Sequence, residues 1–325
     1  MHSADYPDWY AKMVLIRAFE EAIGRLFAEG KAPGTTHLSV GQEACAVGAI
    51  SALRPDDQVF STHRGHGHFL AKGGDPKLLM AELLGKASGY CRGFGGSQHA
   101  SYPPIGFVGT NGITGGNIPV ATGAALAAQR LKAGRVVMCI FGDGACNQGA
   151  FHESLNMAGL WKLPIVYLIE NNRYAQWTSI ERTTAVVELA DRAKVYDMPG
   201  AAVDGMDVVA MHEAAQAAVE RARQGDGPTL IESKTYRFSG HSKSDVKTTV
   251  YRSTEEEAFW KERDPIPAFR AQLLRDEVAN EEVLAGLESC AASRIDEAVA
   301  FALDAPETDP AEAFYGAYAP DGNAV

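Results

Sequence analysis

An aspartate flanked by glycines and a pair of asparagines follow two successive apolar segments of the chain. Gly142-Asp143-Gly144 comes directly after the segment 136–141, and Asn171-Asn172 follows the segment 165–170. A carboxylate, an amide oxygen and a backbone carbonyl are oxygen ligands suited to Mg²⁺, whose other positions are often filled by phosphates and water. A zinc site would need histidine or cysteine. Each motif alone is more often an ordinary turn or loop, but together they predict a magnesium diphosphate site.

These two motifs need a parallel sheet to bring them together. The segments 136–141 and 165–170 are unbroken apolar runs typical of strands that are buried on both faces, and helical spacing over 150–161 separates them. The carboxyl ends of parallel strands meet at one edge of a sheet, where open α/β proteins bind their ligands. Further predicted elements are strands at 59–62, 201–204 and 228–235 and helices at 189–196 and 208–223. The predicted fold class is therefore α/β, with a mostly parallel sheet flanked by helices.

A segment rich in histidine follows the strand predicted at 59–62. It reads His63-Arg64-Gly65-His66-Gly67-His68, and the histidine spacing fits no standard zinc pattern. Arg64 would repel a metal ion placed among these histidines, whereas its guanidinium geometry suits bidentate contacts to phosphate oxygens. We therefore favour an anion site around Arg64 over a metal site.

The segment 85–123 is dense in glycine without any repeat. Such density indicates a close approach of the backbone, either to a cofactor or between packed helices, and the bland alternative is a flexible loop. The small-residue run 121–128 that follows is typical of a tightly packed helix.

Bulk composition excludes several classes of protein. The net charge of −11 argues against nucleic-acid binding as the main role. The five cysteines show no Cys-x-x-Cys spacing, so we expect reduced thiols rather than a disulfide framework or a zinc ribbon. The acidic N-terminus lacks the apolar stretch of a secretory signal, and no run reaches the length of a membrane span. We therefore predict a cytoplasmic protein without membrane partners.

The spacing of the two motifs resembles the fingerprint of thiamine diphosphate enzymes, with 26 residues between Gly144 and Asn171. The sequences of residues 142–156 and 161–164 resemble the alpha subunit of the first component of 2-oxo acid and acetoin dehydrogenase complexes. The similarity runs from about residue 10 to about residue 305. It implies thiamine diphosphate and Mg²⁺ as cofactors and the thiamine diphosphate-binding fold, with helical extensions at both ends.

The resemblance also divides the chain. We expect residues 1–58 to form an N-terminal helical segment packed on the core, 59–240 to form the diphosphate-binding α/β domain, and 241–325 to form a loop and C-terminal helices. The segment 10–29 has the pattern of an amphipathic helix. Its apolar face could pack on the chain's own core or on a neighbouring subunit, and periodicity does not distinguish the two.

Individual roles follow from the same resemblance. It implies that Asp143, Asn172 and the backbone carbonyl of Tyr174 bind Mg²⁺, and that His63 and Arg64 hold the diphosphate. Other cofactor contacts implied by the match are Gly142, Gly144 and Ala145 at the acidic turn and Gly112 and Thr114 at the aminopyrimidine ring.

Two histidines are predicted to take part in catalysis. His241 matches a histidine that contacts the diphosphate and assists transfer to a lipoyl group, and His63 lies in the diphosphate site. For His37, a place in the substrate channel and a structural role are equally compatible with the sequence. Relatives usually have smaller residues at Gln176 and Trp177, so the pocket mouth is expected to differ here.

The resemblance implies an enzyme that works with other proteins. A separate beta subunit would supply the glutamate that activates the cofactor, in an α2β2 heterotetramer, and a lipoyl-bearing second component would accept the two-carbon unit. The context of His63 favours acetoin as the small-molecule substrate; pyruvate and branched-chain 2-oxo acids are the alternatives. Outside this class, a noncatalytic scaffold subunit stays open, whereas a nucleotide-binding dehydrogenase lacks its Gly-x-Gly-x-x-Gly signature.

Overall fold

One sheet of six parallel strands forms the centre of the computed structural model, which describes residues 3–245 and 247–312. Its strands lie in the order β2-β1-β3-β4-β8-β7, and all five neighbouring pairs are parallel. A separate antiparallel hairpin is formed by β5 and β6. The strands are β1 (Gln58–Phe60), β2 (Phe107–Gly109), β3 (Val137–Gly142), β4 (Ile165–Asn171), β5 (Tyr174–Ala175), β6 (Thr178–Ser179), β7 (Gly200–Asp204) and β8 (Thr229–Lys234).

Helices cover both faces of this sheet. The α-helices are α1 (Tyr6–Ala28), α2 (Glu43–Ser51), α3 (His66–Ala71), α4 (Pro76–Leu83), α5 (Asn117–Arg130), α6 (Gly149–Trp161), α7 (Ile180–Thr183), α8 (Val208–Gln224), α9 (Thr254–Glu262), α10 (Pro265–Arg275) and α11 (Glu281–Asp304). Short 3₁₀ helices are found at Ser3–Asp5, Gly96–Gln98, Pro103–Ile105, Asp143–Asn147, Leu189–Tyr196 and Thr248–Val250. Among the described helices, none combines the length and the apolar character that crossing a membrane would require. The predicted α/β class is confirmed.

Successive side chains of a strand point to opposite sides of the sheet, and β3 and β4 are buried on both sides. Met138 and Ile140 join a core with α1, α2, α8 and α11, whereas Val137, Cys139 and Phe141 join a second core with α5 and α6. This double burial explains the unbroken apolar runs in the sequence. The apolar face of α1 packs on the chain's own core, which settles the alternative left open by its periodicity.

The glycine-rich segment is ordered by a buried carboxylate. Glu82, at the end of α4, accepts backbone N–H groups of the following loop at 2.7–3.0 Å, from Cys91, Gly93, Gly95 and Gly96. A Cβ on Gly89 would lie 2.4 Å from the Glu82 carboxylate, so a larger residue does not fit there. The close approach predicted from the glycines is real, but here the loop backbone approaches an internal side chain.

Several short elements differ from the sequence prediction, among them the β5–β6 hairpin, which was not predicted. The segment Leu189–Tyr196 is a 3₁₀ helix, a distinction that the spacing of its apolar residues does not make. The strand β2 was not predicted, because three residues inside a glycine-rich stretch carry too short a pattern.

Candidate active site

Four adjacent strands end at one cavity of about 350 Å³. Arg64 follows β1, Asp143 follows β3, Asn172 follows β4 and Arg237 follows β8, and all four residues line the cavity. These strands are direct neighbours in the order β1-β3-β4-β8, so their carboxyl ends converge. His241 lines the cavity from the loop beyond Arg237. The edge of the sheet predicted to bind a ligand is therefore a formed pocket.

Asp143 is a buried carboxylate without full compensation. It begins the 3₁₀ helix that follows β3 and is 3% exposed. Its Oδ2 atom has no hydrogen-bond partner among the described residues. Burial raises its pKa to about 6, although its own amide, Arg237 and the amide of Gly144 act in the opposite direction. A cation placed against Oδ2 would relieve this desolvation, so the carboxylate fits the predicted metal site.

The acidic turn has one glycine that the packing requires. A Cβ on Gly144 would lie 2.7 Å from the Cβ of Ala175 in β5, whereas a Cβ on Gly142 would meet open space. Gly144 therefore lets the hairpin approach Asp143 closely, and Gly142 has no such steric role. Ala145 is buried next to them and lines the cavity.

Asn172 and Tyr174 bring two further oxygen atoms to the cavity. The Asn172 amide donates to Gln42 Oε1 at 3.2 Å, and Asn172 Oδ1 lies 3.4 Å from the Tyr174 amide nitrogen. The Tyr174 carbonyl accepts a hydrogen bond from Arg237 Nη1 at 3.2 Å. A carbonyl oxygen has two lone pairs, so this contact is compatible with metal binding. The structure brings together all three residues predicted as metal ligands.

Arg64 is held by two backbone carbonyls. Its Nη1 donates to the Leu38 carbonyl at 2.5 Å and its Nη2 to the His241 carbonyl at 2.8 Å. Burial and the nearby Arg237 lower the pKa of Arg64 to about 9, so the guanidinium stays charged at neutral pH. These two bonds leave three of its five N–H donors for an anion.

Three histidines meet beside this cavity, and two of them, His63 and His241, line it. The ring of His37 lies 4.6 Å from that of His63 and 5.0 Å from that of His241. Burial, followed by the Arg64 charge, lowers the pKa of His37 to about 3, of His63 to about 2 and of His241 to about 4. His63 Nε2 and His241 Nδ1 are buried without a hydrogen-bond partner in the described part of the chain. Neutral imidazoles beside two arginines suit an anionic ligand, as predicted for His63 and His241.

The histidines of the 63–68 segment divide between the cavity and the core. His66 Nδ1 lies 3.2 Å from the carboxylate of Glu20, and His68 Nε2 lies 3.3 Å from that of Glu170. Within the described residues, the one group with metal-binding geometry consists of His37, His63 and His241, whose ligand atoms lie within 4.8 Å of one another, and it contains neither His66 nor His68. The contacts of His66 and His68 argue against a metal site shared by all three histidines of this segment, and the preference for an anion site around Arg64 stays a prediction.

The residues predicted at the aminopyrimidine ring lie in the loop before α5. Thr114 lines the cavity, and Gly112 lies beside Gln98, whose Oε1 atom a Cβ on Gly112 would approach to 2.7 Å. Their contacts to a cofactor ring stay predictions.

Two charged residues of the cavity, Arg237 and Glu170, were not predicted from the sequence. Arg237 follows β8, and only the strand order shows that β8 lies beside β4. Glu170 is the last residue of the segment 165–170, directly before the asparagine pair. Its carboxylate accepts a hydrogen bond from Gln42 Nε2 at 3.0 Å. A charged residue that ends a buried strand is a usable signal, because burial of a carboxylate needs a partner.

Comparison with known proteins agrees with this geometry. The sequence model of the family described as "Dehydrogenase E1 component" matches residues 11–311. The chain is 45% identical over 310 residues to the alpha subunit of acetoin:2,6-dichlorophenolindophenol oxidoreductase of Bacillus subtilis, covering 95% of this chain and 92% of that subunit. The corresponding subunit of Cupriavidus necator is 43% identical with the same coverage. The alpha subunit of the pyruvate dehydrogenase E1 component of Porphyra purpurea is also 43% identical, over 93% of this chain and 90% of the relative.

Proposed function

Because this chain belongs to the dehydrogenase E1 component family, we propose that it is the alpha subunit of a thiamine diphosphate-dependent oxidoreductase that acts on acetoin. The observation that carries the proposal is the convergence of Asp143, Asn172 and Arg64 at one cavity. The relatives include both acetoin and pyruvate enzymes at similar identity. The sequence Thr-His-Arg-Gly-His-Gly around His63 is the reason for preferring acetoin as the substrate.

The residues present fit a magnesium diphosphate. The uncompensated Oδ2 of Asp143, the Asn172 amide oxygen and the Tyr174 carbonyl would hold Mg²⁺. The guanidinium of Arg64, with three free donors, would hold the diphosphate together with the unpartnered ring nitrogen of His63. Thiamine diphosphate supplies the reactive carbon and the electron sink for breaking a bond next to a carbonyl group.

The chain's own groups have three tasks in this scheme. Asp143 offsets the charge of the ion, and Arg64 fixes the orientation of the diphosphate. The neutral ring of His241 lies where it can exchange a hydrogen bond with a phosphate oxygen or with the transferred group, because its Nδ1 atom has no partner among the described residues. His63 lies 5.7 Å from it, ring to ring, so the two histidines face the same ligand.

The proposed assembly is a heterotetramer of two alpha and two beta subunits. The beta subunit would supply the glutamate that activates the aminopyrimidine ring, and the lipoyl arm of a second component would receive the two-carbon unit. The cytoplasmic location stays a prediction from the sequence.

Reconstitution tests the proposal. The chain is combined with its beta subunit, thiamine diphosphate and Mg²⁺, and reduction of a dye acceptor is measured with acetoin, pyruvate and branched-chain 2-oxo acids. We expect the highest kcat/KM with acetoin and no turnover by the chain alone. Preference for pyruvate would replace the substrate assignment, and strong turnover without a beta subunit would refute the shared active site. Full complex activity in Asp143→Ala would instead indicate a scaffold subunit.

A further inference from the structure

Trp177 lies in the turn of the β5–β6 hairpin, next to Gln176, which lines the cavity. It is 57% exposed, which is unusual for so large an apolar ring. Its indole Nε1 nevertheless donates a hydrogen bond to Asp245 Oδ2 at 3.2 Å, across 68 residues of sequence. The ring thus connects the hairpin to the loop that carries His241.

The same carboxylate oxygen of Asp245 accepts two further hydrogen bonds. Asp245 Oδ2 accepts the backbone N–H of His241 at 2.9 Å and the hydroxyl of Tyr251 at 2.6 Å. A Cβ on Gly240 would lie 2.2 Å from the Asp245 carbonyl, so the segment Gly240–Asp245 is closed tightly on itself. Hydrogen bonds to an ionised acceptor are stronger than neutral ones, which makes Asp245 the centre of this arrangement.

The hairpin is the fixed partner in this contact. Arg237 is fully buried, and it donates to the Tyr174 carbonyl at 3.2 Å and also to the Gln176 carbonyl. The backbone on the N-terminal side of Trp177 is therefore tied to the interior of the protein. The loop, in contrast, reaches the site through the His241 carbonyl, which accepts from Arg64 Nη2 at 2.8 Å. A bond between hairpin and loop consequently restrains the loop.

We propose that Trp177 is a positioning residue, which acts through Asp245 to hold His241 over the anion-binding end of the cavity. His241 is then restrained on both sides of its backbone, its N–H by Asp245 and its carbonyl by Arg64. Loss of the indole bond frees the loop without removing any group that contacts the ligand. The identity of that ligand as thiamine diphosphate rests on the proposed function; the restraint itself does not.

The central variant is Trp177→Phe, which keeps an aromatic ring and removes the indole N–H donor. Trp161→Phe is the matched control, because Trp161 is also largely exposed but lies at the end of α6. The first readout is hydrogen–deuterium exchange of the backbone over 239–252 in the full chain without cofactor. One lost hydrogen bond of this kind should speed exchange by about threefold to tenfold in Trp177→Phe. Trp161→Phe should leave this segment unchanged.

The second readout uses the complex with the beta subunit. The thiamine diphosphate concentration for half-maximal activity is expected to rise by about threefold to tenfold in Trp177→Phe. The kcat at saturating cofactor should stay within about twofold of the wild type, since the chemical groups are retained. In an Asp245→Ala background, which removes the acceptor, Trp177→Phe should add little to either readout, because the two residues act through one bond.

The outcomes separate the restraint from the cofactor assignment. Unchanged exchange over 239–252 in Trp177→Phe overturns the inference, whatever the cofactor is. Faster exchange with an unaltered cofactor requirement also overturns it, because His241 would then not depend on the loop. A complex that needs no thiamine diphosphate, combined with faster exchange, would instead defeat the proposed function and leave the restraint intact.

Discussion

Replacing Asp143 by asparagine should stabilise the chain while abolishing the proposed metal site. Asp143→Asn keeps the shape of the side chain and removes the charge that burial disfavours. Burial raises the pKa of Asp143 to about 6 from an ordinary value of 3.8. At about 1.4 kcal/mol for each pKa unit, holding the ionised carboxylate in the folded chain costs about 3 kcal/mol at neutral pH. We expect the substitution to recover a large part of that cost in the absence of metal.

The pH dependence gives the sign of the effect. Because the pKa of folded Asp143 lies above that of the unfolded chain, its contribution to stability is fully present below about pH 4 and is lost as the pH rises through about 6. The stability difference between Asp143→Asn and the wild type should therefore be small at pH 4 and largest above pH 7. Urea unfolding followed by circular dichroism at both pH values measures it.

A second aspartate provides the control. Asp57 is equally buried, but its carboxylate accepts a hydrogen bond from the Val136 amide at 2.7 Å and lies 2.6 Å from Arg223. Breaking a compensated buried pair costs about 3–5 kcal/mol, so Asp57→Asn should destabilise the chain.

Ligand addition completes the test. Magnesium thiamine diphosphate should raise the unfolding midpoint of the wild-type complex with its beta subunit and leave that of the Asp143→Asn complex unchanged. The reasoning fails if Asp143→Asn is destabilising at pH 7.5 without metal, or if its complex gains as much from the ligand as the wild type does.

Three further predictions concern other groups of the site and its supporting loop. Arg64→Lys should weaken thiamine diphosphate binding by about tenfold to a hundredfold in an equilibrium titration of the complex, because lysine cannot keep the carbonyl contacts and also fork onto an anion. His63 and His241, whose pKa values burial lowers to about 2 and about 4, should show no protonation between pH 5 and 8 by NMR; the unfolded chain takes up their protons, so their contribution to stability is lost as the pH falls below about 6.5. Glu82→Gln should lower the unfolding free energy by about 2–4 kcal/mol and expose the loop after α4 to proteolysis, because one of the two accepting oxygens becomes an NH₂ group that cannot accept from the backbone N–H groups facing it.

The sequence was most informative where strands end. Asp143 and Asn172 could be placed together because buried parallel strands carry an apolar signal, and their carboxyl ends necessarily share one edge of the sheet. The roles predicted for His63 and His241 came from resemblance, since no local pattern connects residues so far apart in the chain. Their rings lie 5.7 Å apart in the structure.

Other features depend on contacts between distant elements, which the spacing of residues along the sequence does not encode. Arg237 reaches the cavity because β8 lies beside β4, an order that several topologies could have changed. His66 and His68 point into the core through the helix that begins directly after Gly65, whereas His63 precedes it and faces the cavity. Glu82, which accepts the backbone hydrogen bonds of the glycine-rich loop, lies outside that loop. No pattern in the sequence predicts this role.

The hairpin carbonyls of Tyr174 and Gln176 face a guanidinium that belongs to the protein itself. Arg237 therefore holds both carbonyls in place without any bound ion. The same guanidinium would repel a bare Mg²⁺ ion at the proposed site, because Arg237 and Mg²⁺ are both positive and the cavity between them would be poorly solvated. We therefore expect the metal to bind more readily when it is already complexed to the diphosphate. A titration with Mg²⁺ alone should show much weaker binding than a titration with the diphosphate present.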